Sequence, residues 1–246
     1  MKKILSVIVA VVLFCYLVFS VILMNGKEED GVCRQVTVVV KDSADRHFID
    51  RQDVLSILKH TSLYPINQRL RDINTETIER KIAGNELIDR VNVYKTPSGN
   101  IHIEVTQKTP VLRVFSTQGS YYVDERGHIM PVSPRYATYL PIANGIIEKS
   151  FATTDLYKFA LFLQKHDFWN NQIEQIYVYP NKEVELIPRV GDHRIFLGSL
   201  DDFREKMDHL QLFYEQAIPK VGWEKYRIIN LKYRNQIVCT KKINLW

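Results

Sequence analysis

The stretch LIDRVNVYKTPSGNIHIEVTQKTPVLRVF, residues 87–115, decides the fold of this chain. It contains two runs typical of strands, 91–94 and 100–107, on either side of the turn sequence TPSG at 96–99. Apolar and polar residues alternate along the second run, which predicts a strand with one buried face. The apolar positions of that run are Ile101, Ile103 and Val105. The stretch therefore predicts an antiparallel hairpin that ends before Pro110, where the pattern changes.

One strand and two helices are predicted upstream of this hairpin. Residues 35–40 are rich in valine and predict the strand. Asp50 is a suitable N-cap for the first helix, and the second helix begins at Asn74 or Thr75 and ends at Gly84. The order strand, helix, helix, strand, strand predicts a small sheet with both helices on one face, as in a POTRA domain.

Downstream of the hairpin, short strands separated by turn residues predict a second, mainly antiparallel β domain with helices packed on it. Thr154 is predicted to cap one helix, and Ser199 or Asp201 begins the clearest helix of the chain, which has an apolar stripe. The fold class is therefore α+β. The strands are predicted over 111–115, 121–124, 129–130, 173–179, 183–189, 194–197, 226–233 and 236–241.

The run ILSVIVAVVLFCYLVFSVILM, residues 4–24, contains no charged residue. As a helix with ~1.5 Å rise per residue it would be about 30 Å long, enough to cross a bilayer. A cleaved signal peptide is the alternative, but its apolar part is usually only about 7–15 residues and ends in small side chains. This run ends in Leu23 and Met24, so a retained membrane anchor is predicted.

Lys2 and Lys3 precede the apolar run and predict a cytoplasmic N-terminus, with the rest of the chain outside the cytoplasm. The predicted organisation follows from these boundaries. It comprises a cytoplasmic tail (1–3), a transmembrane helix (4–24), a linker (25–34), a POTRA domain (35–109) and a second β domain (110–246).

Neither the composition nor the motifs indicate a nucleic-acid-binding, metal-binding or cofactor-binding protein. The formal net charge of +5 is small and dispersed, which does not predict nucleic-acid binding. Of the three cysteines, Cys15 lies in the predicted membrane helix, while Cys33 and Cys239 either pair or remain free. Seven histidines are scattered without a metal-binding motif, so no metal or cofactor is predicted.

Two short sequence fragments suggest an enzymatic function. Ser56 and Lys59 form a Ser-x-x-Lys pair, and Ser98-Gly99-Asn100 forms a Ser-x-Asn, as in penicillin-binding enzymes. No Lys-Thr-Gly follows, the second fragment falls in a hairpin turn, and Ser56 lies within a helix of a very small domain. The sequence therefore predicts a protein that is not an enzyme and has no catalytic residue.

Taken in order behind one apolar segment, several stretches between residues 33 and 242 resemble the FtsQ/DivIB family. Each stretch alone is weak, but the order is specific. They are IDRQDVLSIL (49–58), the opening stretch (87–115), YYVDERGHIMP (121–131), YLPIANG (139–145), VELIPRVGDHRIFLGSLDDFREKMDHLQLFYEQ (184–216) and YRIINLKYRNQIV (226–238).

The resemblance implies a bitopic scaffold of the divisome in the inner membrane at the division septum. It would bind the FtsB–FtsL pair and other divisome membrane proteins outside the cytoplasm and help to control septal peptidoglycan synthesis. No small-molecule substrate is implied. Two positions depart from the family: many relatives have Glu where Gln107 stands, and Asp-Leu-Arg-Tyr where this chain has Asn-Leu-Lys-Tyr at 230–233.

The partner site is predicted on the last two strands. No strand follows 236–241, so its outer edge would leave backbone groups free for a strand added by a partner, and the resemblance implies FtsB in that place. Tyr233 would be the anchor, on one face with Ile229 and Leu231; alternatively, it packs in the core of its own domain. The predicted partner-binding residues are Ile229, Leu231, Lys232, Tyr233, Arg234, Asn235, Gln236, Ile237 and Val238.

A single-span periplasmic lipid-transport subunit is the alternative function. Such a protein is a β-roll with almost no helix, whereas amphipathic helices are predicted here at 50–60, 154–166 and 201–218. A helix content below about 10% by circular dichroism would favour the transporter over an α+β domain.

Overall fold

The computed structural model describes residues 11–20, 31–41, 48–133 and 139–242. The chain divides into two compact units, Met1–Gln107 and Lys108–Trp246. Residues 11–20 are helical, and within the described ranges no helix is both long enough and apolar enough to cross a membrane. The predicted tail 1–3, most of the linker and both ends of the predicted span lie outside the described residues.

The first unit has the predicted order of strands and helices. Its three strands form a sheet in the order β1-β3-β2, in which β1 is parallel and β2 antiparallel to β3. The elements are β1 (Val36–Lys41), α1 (Arg51–His60), a 3-10 turn (Leu70–Asp72), α2 (Thr75–Ala83), β2 (Ile88–Lys95) and β3 (Ile101–Gln107).

Local side chains set the helix starts of this unit. The Asp50 carboxylate accepts a hydrogen bond from the Asp53 backbone N–H at 2.8 Å, and the Asp53 carboxylate accepts one from the Asp50 N–H at 3.0 Å. This capping box satisfies N–H groups that have no partner inside the helix. The Asn74 side chain does the same for the Thr77 N–H at 2.9 Å. The predicted cap at Asp50 and the predicted start of the second helix at Asn74 or Thr75 are confirmed.

Gln107 ends the sheet of the first unit as a buried polar side chain, 1% exposed. Its Oε1 accepts a hydrogen bond from the Ile49 N–H at 3.0 Å, and its Nε2 donates to the Lys41 carbonyl at 3.4 Å. An amide can donate and accept, whereas a carboxylate only accepts. The glutamine that departs from the family pattern therefore makes a contact that an ionised glutamate could not make.

In the described part of the second unit, nine strands form one sheet with helices packed on it. The strand order is β12-β11-β10-β9-β8-β7-β4-β5-β6. Its elements are β4 (Pro110–Ser116), β5 (Gly119–Asp124), β6 (Ile129–Met130), β7 (Ile142–Gly145), α3 (Lys149–Phe151), a π-helical segment (Ala152–Leu156), α4 (Tyr157–Lys165), α5 (Asp167–Gln172), β8 (Ile173–Val178), β9 (Val184–Pro188), β10 (Arg194–Gly198), α6 (Phe203–Gln216), α7 (Ile218–Val221), a 3-10 turn (Trp223–Lys225), β11 (Tyr226–Asn230) and β12 (Val238–Lys241).

This sheet is mixed, so the prediction of a mainly antiparallel domain is confirmed only in part. The pairs β4–β7, β7–β8 and β10–β11 are parallel, and the other neighbouring pairs are antiparallel. The short strand β7 was not predicted. Its last residue, Gly145, has φ of 111°, and a Cβ there would collide with the Val178 carbonyl, so glycine allows β7 to lie against β8.

Other boundaries also differ from the prediction. The helix at 154 begins instead at Lys149, because the Thr154 hydroxyl donates back to the Ser150 carbonyl at 2.8 Å within the helix rather than capping it. The clearest helix, α6, begins at Phe203 rather than at Ser199 or Asp201. The last two strands are shorter than predicted, and α5 was missed.

One face of the nine-stranded sheet contributes to an apolar core. Ile176, Leu186 and Ile195 are fully buried there, together with Phe159 of α4 and Leu210 of α6. These helices are therefore integral to the domain. The nearly helix-free architecture of the lipid-transport alternative does not match this arrangement.

Candidate partner-binding site

β12 is an edge strand of the described sheet. It pairs with β11 in antiparallel register, with Val238 opposite Asn230 and Lys241 opposite Tyr226. In the described part of the second unit no strand lies on its other side. The outer row of backbone N–H and C=O groups is therefore available for pairing with another chain.

Residues 231–237, named here the C-terminal loop, connect β11 to β12. The Leu231 N–H donates to the Phe196 carbonyl at 2.8 Å, which fixes the start of the loop on β10. The Asn230 side chain accepts a hydrogen bond from the Lys232 N–H at 2.9 Å. At the tip, the Gln236 N–H donates to the Tyr233 carbonyl at 3.4 Å. The loop is thus anchored at its start and closed by a turn.

The predicted partner-binding residues fall into two groups. Ile229 and Leu231 are 0% and 3% exposed and belong to the core, and Ile237 is partly buried against it. Tyr233 is 51% exposed, so it does not pack in the core as the alternative would require. The exposed residues are Lys232, Tyr233, Arg234, Asn235, Gln236 and Val238.

Lys232 is held against the sheet by an ion pair and by a close backbone approach. Its Nζ lies 2.6 Å from a Glu183 carboxylate oxygen. This hydrogen bond raises the pKa of Lys232 and lowers the pKa of Glu183. Gly198 has φ of 73°, and a Cβ there would lie 3.1 Å from Lys232 Cγ. The absence of a side chain at Gly198 lets Lys232 lie over β10, where its charge is already partnered.

A groove runs between α6 and the C-terminal loop. His209, Asn235 and Gln236 line its middle. At one end, the polar end, Asp201, Asp202, Glu205 and Lys206 contribute side chains. Its opposite end, named here the apolar end, is lined by Leu212, Phe213, Ala217 and Ile237 together with Gln216. The cavity formed by this end and the middle of the groove has a volume of about 320 Å³.

A further group of contacts lies at the end of β12 that is away from the C-terminal loop. The imidazole Nε2 of His193 lies 2.6 Å from the Tyr214 hydroxyl, and the Trp223 ring stacks on it at 5.8 Å between centroids. Burial lowers the pKa of His193. Just beyond β12, the Lys242 Nζ lies 3.1 Å from Asp192 and 2.6 Å from Glu224. Sequence reasoning missed this cluster, because no local pattern connects residues so far apart.

The described residues contain little that could form a catalytic or metal-binding site. Among them, no three His, Cys, Asp or Glu side chains come together as a metal site. Ser56 is an exposed residue within α1, and Ser98 shares a hydrogen bond of 2.9 Å with Thr96 in the hairpin turn. Cys33 and Cys239 are both free thiols, and burial raises the pKa of Cys239.

Two family models match the chain. The model described as FtsQ/DivIB, C-terminal related, matches residues 109–240, and the POTRA-like domain model matches residues 31–106. The cell division protein FtsQ of Rhodothermus marinus is 23% identical over an alignment of 185 residues, and the match covers 70% of this chain and 67% of that protein. The major extracytoplasmic domain of the trans isomer of DivIB from Geobacillus stearothermophilus has 13% identity and a TM-score of 0.35. That match covers 47% of this chain and 98% of the other.

Proposed function

Because the chain belongs to the FtsQ/DivIB family, whose role is in cell division, we propose that it is a non-enzymatic scaffold that binds the FtsB–FtsL pair. In this proposal it also helps to control septal peptidoglycan synthesis. Residues 4–24 cross the inner membrane once at the division septum, with the N-terminus in the cytoplasm and both folded units in the periplasm. The uncharged apolar run and the two lysines before it support this topology.

The edge position of β12 is the observation that carries the proposal. A partner segment that adds a strand outside β12 would satisfy its outer backbone groups, and side chains nearby would give specificity. Tyr233 lies just before this edge with half of its side chain exposed. Large aromatic side chains often anchor interfaces and cost about 2 kcal/mol or more when truncated.

The test is the affinity of the full-length chain in detergent for the purified FtsB–FtsL pair. Tyr233→Ala is expected to weaken binding by more than about tenfold, since ~1.4 kcal/mol is a factor of ten. The melting temperature should hardly change, because the Tyr233 side chain is largely outside the core.

Tyr139→Ala is the matched control, since Tyr139 is another exposed tyrosine of the second unit, 73% exposed, outside the C-terminal loop. It should bind the pair as the wild-type chain does. Unchanged binding by a folded Tyr233→Ala variant would remove Tyr233 from the interface. Failure of the wild-type chain to bind the pair would refute the proposed function itself.

A further inference from the structure

The three-stranded sheet of the first unit has two edge strands, β1 and β2, which differ in how their outer sides are protected. On β2 the Val93 N–H points away from β3 and donates to the Glu79 carboxylate of α2 at 3.3 Å. A side-chain acceptor in that position occupies a backbone group that an added strand would need. The edge at β2 is therefore protected by α2.

The outer side of β1 carries backbone groups without such protection. The Ile101 N–H donates to the Gln35 carbonyl at 3.1 Å, and the two strands then continue in parallel register. In a parallel pair every second residue bonds to the neighbouring strand, so alternate residues of β1, counted from Gln35, face β3. The residues between them, whose N–H and C=O groups point outward, are Val36, Val38 and Val40. Within the described part of the first unit, no hydrogen bond outside the sheet involves the backbone of these three valines.

The open edge of β1 is complementary to itself. Its sequence is VTVVVK, so residues 36–40 are uncharged and all β-branched. Two antiparallel copies centred on Val38 would place Val36 opposite Val40 and Val38 opposite its own counterpart. Every outward N–H and C=O of residues 36–40 would then have a partner in the other copy. Pairs of β-branched residues are favourable across strands, and Lys41 would lie opposite the uncharged Gln35.

The side chains of β1 fit the same arrangement. Val36 and Val38 are 4% and 8% exposed and belong to the apolar core beneath the helices. Thr37 and Val39 therefore lie on the helix-free face, because successive side chains of a strand alternate. Val39 is 41% exposed there, and in the antiparallel pair it would lie opposite Thr37 of the second copy. The contact would thus cover apolar surface that a single chain leaves in water.

We propose that two copies of this chain associate through the β1 edges of their first units, so that two three-stranded sheets become one continuous sheet. The second copy is the occupant because the edge complements its own sequence, as an isologous contact about a two-fold axis requires. Two strands this short bury less surface than a standard interface, so the association is weak. It does not involve β12, and it is independent of the function proposed above.

The discriminating experiment is disulfide cross-linking of the full-length chain in detergent, with the joined peptides identified by mass spectrometry. Thr37→Cys chains are mixed with Val39→Cys chains. In the proposed pair these positions are directly opposite, with Cα atoms about 4.5 Å apart, which a disulfide can bridge. The mixture should give a link between positions 37 and 39. Either variant alone should give much less, because its cysteines would lie diagonally across the pair.

The matched control is a mixture of Asn92→Cys and Tyr94→Cys chains. These positions flank Val93 on β2 as Thr37 and Val39 flank Val38 on β1, but their edge is protected by Glu79. This mixture should give only background cross-linking. Equal yields from the β1 and β2 mixtures would overturn the inference. So would a link, formed in native membranes, between position 37 and a different protein in place of a second copy.

A second measurement follows self-association directly, by analytical ultracentrifugation over a range of chain concentrations. Val40→Pro removes an outward N–H of β1 and leaves the bonds to β3 in place, since proline is tolerated where an edge strand faces solvent. The dimer should weaken about tenfold or more, because the two-fold axis doubles the loss. Val91→Pro makes the corresponding change on β2 and should leave association unchanged. A wild-type chain that stays monomeric, or equal effects of the two prolines, would show that β1 is not the interface.

Discussion

His193 is a buried imidazole whose surroundings oppose its protonation. Burial is the main cause that lowers its pKa, and the positive charge of Lys242 lowers it further, while Asp192 and Glu224 act in the opposite direction. Its ring also contacts the Tyr214 hydroxyl at 2.6 Å. The neutral form is therefore the one that fits the folded protein.

This environment predicts how stability depends on pH. In the unfolded chain His193 takes up a proton near its ordinary pKa of about 6.5, whereas in the folded chain it does so only at lower pH. Between the two pKa values the unfolded state binds more protons, so lowering the pH through this window destabilises the fold. The free energy of unfolding should therefore decrease as the pH falls from about 7 to about 5.

In His193→Gln this decrease should become shallower, because glutamine does not titrate but can still bond to Tyr214. Chemical denaturation of the full-length chain at both ends of the pH range measures the effect. His60→Gln, a change at an exposed histidine of α1, is the control for the substitution itself. An equal slope in wild-type and His193→Gln chains would show that His193 is not the group responsible.

Single residues also show where sequence reasoning reaches and where it stops. The exposure of Tyr233 agrees with its place at the start of a turn. Within this turn Asn235 adopts φ of 58°, a conformation that asparagine tolerates. The burial of Leu231 and the ion pair of Lys232 with Glu183 depend on strands far away in the sequence. Periodicity placed Ile229, Leu231 and Tyr233 on one face, but the strand ends at Asn230, so the alternation does not extend to Tyr233.

Among the elements, α1 depends on a local device that can be removed by one substitution. Asp50→Ala removes the carboxylate that accepts the Asp53 N–H at 2.8 Å. Loss of such a cap typically costs about 1 kcal/mol of stability. We expect a decrease of that size in the free energy of unfolding of the first unit, measured by chemical denaturation.

Glu86→Ala is a suitable control, because Glu86 is an exposed carboxylate of the same unit outside the helix caps. It should leave stability within about 0.5 kcal/mol of the wild-type value. Equal effects of the Asp50 and Glu86 substitutions would mean that the capping box contributes nothing measurable.

Elements with local signals were predicted, and elements that need distant partners were not. The caps at Asp50 and Asn74, and the helices that follow them, depend on residues that are close together in the sequence. The strand β7, in contrast, is only Ile142–Gly145, and both of its pairings are with strands distant in sequence. Such a short segment has no periodicity of its own, so its place in the sheet follows only from the assembled fold.

At the scale of the whole molecule, the two units have separate apolar cores. Ile103 is fully buried in the core of the first, and Leu210 is fully buried in that of the second. Truncating either residue to alanine should cost about 2–5 kcal/mol. We expect Ile103→Ala to raise hydrogen exchange within residues 36–107 and Leu210→Ala to raise it within 110–241.

Each variant serves as the control for the other, since each removes a comparable aliphatic side chain from one core. Hydrogen exchange of the full-length chain, read by mass spectrometry, assigns the loss of protection to peptides. Loss of protection in both units from one substitution would mean that the units unfold together rather than as separate cooperative parts.

The position of β7 also determines how the large sheet must assemble. On one side of it β4, β5 and β6 form a local antiparallel run, and on the other side β8, β9 and β10 form another. Each run closes only short loops and can form early, whereas β7 joins them by two parallel, non-local pairings, which are slow to form. Until that step the apolar edges of β4 and β8 remain bare, so refolding yield should fall as protein concentration rises, through association of half-assembled chains rather than of native ones.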